Sequence, residues 1–92
     1  MIKKLDVVLE HMVVYGVEEI QVRGGKVLQV SGVNAHETRE EAVKAMGTCF
    51  ERTLSILREH NYTMTKSANR YQVDVECEHP FSIIYHIIEI YF

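Results

Sequence analysis

No stretch of this chain is apolar for long enough to cross a bilayer. The most apolar segment, Ile83 to Phe92, falls far short of the ~20 residues a membrane helix requires. A secretory leader is not expected either, because Met1 to Leu5 runs straight into an amphipathic pattern carrying Asp6 and Glu10. Cysteine is scarce. Two cysteines and no leader point to reduced thiols in a cytoplasmic setting and away from a disulfide framework, with a single Cys49–Cys77 bridge left open. Positive charge is in deficit: a formal net charge of −3 supplies no bulk attraction for nucleic acid or anionic membranes.

The spacings that carry chemistry are missing as well. There is no Cys-x-x-Cys, no His-x-x-x-His, and no run that sets four ligands on adjacent turns. Neither a Gly-x-Ser-x-Gly turn nor a Gly-Lys-Ser/Thr opening a helix occurs. Cys77-Glu78-His79 is the densest cluster of metal donors, and Cys49 falls on the apolar side of a helical pattern, where a free cysteine is normally a small buried hydrophobe. A thiol or metal-dependent enzyme therefore ranks third among the readings. No cofactor or metal is expected.

What remains is a globular composition. Ninety-two residues, 47% hydrophobic and 25% charged, suit one domain spanning 1–92. The longest helical pattern runs from Thr38 to His60. Val43, Met46, Phe50, Leu54 and Leu57 recur at steps of three and four, and Lys44, Thr48, Glu51, Ser55 and Glu59 form the wet side. Thr38 and Glu41 have capping-box spacing, as do Asn34 and Glu37 one turn earlier, while Arg58, His60 and Asn61 supply a stop. Gly47, in mid-helix, is either a point of close approach by another element or a tolerated exposed position.

Ile2 to Tyr15 reads as a first helix that Gly16 terminates, with His11, like His60, placed where a helix C-terminus favours a cation. Two hairpins follow from period-two alternation. In the first, Gly24-Gly25 separates Glu18–Arg23 from Lys26–Ser31. Only the pairing of Val22 with Leu28 and Ile20 with Val30 gathers all four apolar residues on one face, which calls for an odd loop, Gly24-Gly25-Lys26. In the second, Ser67-Ala68-Asn69-Arg70 is an even loop that pairs Met64 with Val73 and Tyr62 with Val75, leaving Cys77 on the inward face. The tail from His79 to Phe92 has strand-forming residue types but a helical period, and the period favours a helix.

These readings give an α+β fold: a small antiparallel sheet of two hairpins packed with helices, in the order αββαββ, plus a C-terminal helix or a fifth strand. Its function reads as a non-enzymatic protein-interaction module, a homodimeric regulator or inhibitor of the kind carried by phages and mobile elements, acting on an unidentified protein partner. The tail would form the interface through Ile83, Ile84, Tyr85, Ile87, Ile88, Tyr91 and Phe92, since so apolar a segment exceeds what a small domain buries alone. The alternative is a nucleotide- or nucleic-acid-binding protein, because an acidic chain places Arg23, Lys26, Lys66 and Arg70 around its two hairpin tips. The αββαββ trace sets those tips at opposite ends of the sheet.

Overall fold

The computed structural model describes residues 13–32 and 35–91. Five antiparallel strands and one helix make up this part of the chain: β1 (Val13–Arg23), β2 (Lys26–Gly32), α1 (Arg39–Ile56), β3 (Asn61–Lys66), β4 (Arg70–Glu76) and β5 (Phe81–Tyr91). The sheet order is β2-β1-β5-β4-β3, so the last strand lies at the centre and joins the two hairpins. This ββαβββ arrangement replaces the helix-rich αββαββ layout read from sequence; among the described residues there is a single helix.

The tail is the largest correction. Residues Phe81–Tyr91 form a strand that pairs along its length with β1 and from Phe81 to His86 with β4. A central strand is flanked by other strands on both edges and can carry apolar side chains on both faces, so strict alternation disappears. Ile83, Tyr85 and Ile87 turn toward the helix, and Ile84, Ile88 and Ile90 turn the other way. Neighbouring pairs such as Ile83-Ile84 and Ile87-Ile88 then mimic a helical stripe. Residue type was the better guide here, because five β-branched isoleucines suit a pleated surface.

Val13, Val14 and Tyr15 belong to a strand, not to the end of a first helix; the rest of that expected helix, with His11, lies outside the described residues, as does Asn34. Gly16 ends nothing. It is paired with Ile88, and a Cβ added there would lie 3.3 Å from Ile88 Cγ1 and 3.4 Å from Ile90 Cδ1, so the missing side chain makes room for β5. Tyr15 also exchanges two backbone hydrogen bonds with His36, which pins the approach to the helix.

The first hairpin turns on Gly24 and Gly25, both at positive φ (58° and 77°), with Arg23 opposite Lys26. It is a two-residue turn, contrary to the odd loop expected. Val22 pairs with Val27, and Ile20 pairs with Val30 as the apolar pattern demands. Leu28 is left as the extra residue of a β-bulge between those pairs. The parity change inferred from sequence is real, but the bulge absorbs it and the turn keeps its favoured geometry. The second hairpin has the expected register, Met64 with Val73 and Tyr62 with Val75.

The helix starts where the capping box places it: Thr38 Oγ1 accepts the Glu41 N–H at 3.2 Å. It ends at Ile56, a turn short of His60, and Leu57 closes it by donating to the Thr53 carbonyl. Ala42, Met46, Phe50 and Thr53 form its buried line. They meet Val17 of β1, Tyr85 and Ile87 of β5, and Val73 and Val75 of β4 in one core. The Phe50 ring sits 5.3 Å from Tyr71 and 6.3 Å, edge-on, from Tyr85. Among the described residues the only near neighbour of a Cβ added at Gly47 is Tyr71 Cε2 at 3.9 Å, an ordinary contact, so no close approach within them requires the glycine.

Candidate interaction surface

Because side chains alternate along a strand, the register fixes which residues the helix covers and which it does not. Tyr15, Val17 and Glu19 of β1, Tyr71, Val73 and Val75 of β4, and Ile83, Tyr85 and Ile87 of β5 share the helix side. The opposite face carries Val14, Ile20 and Val22 of β1, Val27 and Val30 of β2, and Ile84, Ile88 and Ile90 of β5, and of these Val14 is buried. On β2 the exposure is high: Val27 60%, Leu28 60% and Val30 56%. Ile20, Val22, Ile84 and Ile88 are half-buried.

Polar residues frame this apolar centre. Ser82 donates to Asp74 Oδ1 at 2.5 Å, Gln72 donates to the same oxygen at 2.8 Å, and Arg70 donates to Gln72 Oε1 at 2.8 Å. The hydrogen bonds from Ser82 and Gln72, with Arg70 nearby, hold the Asp74 carboxyl below the usual aspartate range. One row further along, His86 stands between its cross-strand partners Glu18 and Arg70, with Nδ1 3.9 Å from Glu18 Oε2.

The interface residues named from sequence are divided by this geometry. Ile83, Tyr85 and Ile87 pack beneath the helix; Ile84 and Ile88 lie half-buried on the face away from it; Tyr91 is exposed at the end of β5; Phe92 lies outside the described residues. Sequence reasoning placed Ile20, Val22, Leu28 and Val30 on a common side. The register bears this out for Ile20, Val22 and Val30 and puts Val27, not Leu28, opposite Val22, but nothing in the pattern says which side of a sheet a single helix will take.

The cations at the hairpin tips are not brought together. β1 and β4 both run antiparallel to β5, and one hairpin turns after β1 while the other turns before β4, so the tips lie at opposite ends. Three of the four cations have intramolecular partners. Arg23 stacks over the Phe81 ring at 5.4 Å, and Arg70 bonds Gln72. Lys66 lies over the Phe50 and Tyr71 rings at 5.4 and 5.1 Å and 3.8 Å from Glu51. Lys26 is exposed beside the Gly24-Gly25 turn. Arg39, unremarked in the sequence, donates to Ala68 O and Asn69 Oδ1 and ties the helix start to the second tip.

On the helix side a cleft of about 250 Å³ is lined by Glu19, Cys49, Arg52, Thr53, Ile56 and Tyr85. Three of its polar groups bond one another. The Thr53 and Tyr85 hydroxyls are 2.6 Å apart, and the Tyr85 hydroxyl donates to Glu19. Burial, reinforced by the Glu19 carboxylate, pushes the Tyr85 phenol well above the ordinary tyrosine range. This is a tie that fastens α1 to β1 and β5. Both cysteines are free thiols; Cys77 lies past the end of β4, exposed and not inward, with Sγ donating to the His79 carbonyl. Among the described residues no three His, Cys, Asp or Glu side chains converge as a metal site, and no helix is long and apolar enough to cross a membrane. Comparison with protein-family models, with curated proteins and with solved structures finds no match for this chain.

Proposed function

We propose that this chain is a non-enzymatic interaction module that self-associates and regulates or inhibits a partner protein by binding it. The observation that carries the reading is the sheet face away from α1, where Val27 and Val30 stand more than half exposed next to Ile20, Val22, Ile84 and Ile88. Contiguous apolar surface of that kind marks interaction sites in water-soluble folds. The helix side supports the same conclusion, since its buried polar groups are engaged in holding the helix to the sheet.

The test separates folding from association. Val27→Ser with Val30→Ser removes apolar area from the edge strand without touching the core around Phe50. The double variant is expected to keep its circular dichroism spectrum and lose self-association by light scattering. Unchanged association would reject the reading.

A further inference from the structure

Among the candidate features, Glu19, Thr53 and Tyr85 of the cleft are tied to one another by hydrogen bonds, and three of the four cations at the tips are held by aromatic rings and an amide of the same chain. The sheet face away from α1 has a property that goes further: on β2, β5 and β4 its residue pattern is self-complementary about one row. That row is Val30, Ile20, Ile84 and Gln72, which lie side by side across β2, β1, β5 and β4. Two residues to one side are Gly32, Glu18, His86 and Arg70; two residues to the other are Val27, Val22, Ser82 and Asp74.

We infer that a second copy of this chain docks on this face about a two-fold axis running across the strands above the Val30–Ile20–Ile84–Gln72 row. This rests on the self-association reading above and specifies its surface and register. Rotation about that axis lays Ile20, Ile84 and Val30 each on its own counterpart. It sets Arg70 against Asp74 of the partner copy, and the reverse, giving two ion pairs at the rim, and it lays the stem of Glu18, whose carboxylate faces His86, on Val22 of the other copy. Val27, a protruding side chain on β2, then meets Gly32 of the other copy, where an added Cβ would touch nothing among the described residues.

Charge discriminates this register from its neighbour. An axis two residues away, over Glu18, His86 and Arg70, would oppose Glu18 to Glu18 and Arg70 to Arg70, and like charges across an interface are strongly disfavoured. The hydrogen-bonded ladder from Arg70 through Gln72 to Asp74 holds both charges in place before docking. With Thr65 and Thr63 of β3 beside Gln72 and Asp74 on the same face, five strands at ~4.8 Å spacing and an overlap of about six residues give a footprint of roughly 500 Å² per copy. Counted on both copies, that is near the ~1,000 Å² threshold for a specific interface, so the dimer forms and dissociates with concentration.

The test is a pair of charge reversals in the full chain. Arg70→Asp alone opposes two aspartates across each rim contact, and Asp74→Arg alone opposes two arginines. Each variant is expected to weaken the dimer by more than about tenfold in sedimentation equilibrium. Mixing the two in equal amounts restores association, because the heterodimer pairs two aspartates with two arginines. Val27→Glu gives the same loss should either reversal fail to fold by circular dichroism. Reversals that dimerise as well as the parent overturn this register while leaving self-association intact. A parent chain that stays monomeric throughout overturns both. Dimerisation seen only after deletion of residues 1–12 overturns the inference by making that segment the occupant of the face.

Discussion

Tyr85 on β5 donates its phenolic proton to Glu19, its cross-strand partner on β1, while its oxygen lies 2.6 Å from the Thr53 hydroxyl on α1. Three elements that are distant in sequence meet at one side chain. Tyr85→Phe leaves the ring in the core and strands both partners, so it is expected to cost about 1–2 kcal/mol in denaturant unfolding. The phenol titrates above the ordinary tyrosine range in the folded state, and the unfolded phenol titrates near pH 10. The stability linked to that proton is therefore complete below about pH 10 and is lost as pH rises toward the folded value. The phenylalanine variant should show a shallower alkaline loss than the parent.

Gly47 offers an easy gain. It is helical, has no positive φ, and an added methyl group would make an ordinary contact with Tyr71. Gly47→Ala is expected to stabilise the chain by about 0.5–1 kcal/mol, raising the melting temperature.

Gly25 is the opposite case. At φ 77° it occupies the left-handed region that L side chains avoid, and the two-residue turn depends on it. Gly25→Ala is expected to destabilise by about 1–2 kcal/mol in the same assay, although the added methyl group meets nothing.

Truncation after Pro80 distinguishes a central strand from a docked terminal helix. Without β5, the β1–β2 and β3–β4 hairpins have no strand joining them and the core loses Tyr85 and Ile87. The shortened chain is expected to be unfolded by circular dichroism and proton NMR dispersion.

Much of the local structure was legible in the residues. The Thr38 cap, the Met64–Val73 register and the parity shift in the first hairpin all follow from short-range chemistry. The long-range arrangement was not. Ile83-Ile84 and Ile87-Ile88 have the spacing of a helix stripe, and only their place between β1 and β4 explains why apolar residues occupy both sides. Gly16 carries the signature of a helix stop, yet its role is to clear space for isoleucines more than 70 positions away. The face away from α1 was half-visible as a set of like-facing residues, but which face that is depends on the side α1 packs, and a period cannot encode that.

The most direct measurement is multi-angle light scattering of the intact chain across a micromolar concentration series. A mass rising toward twice the 10.7 kDa of one chain, and falling back for Val27→Ser/Val30→Ser, is the predicted result. A mass of one chain at every concentration would contradict the account.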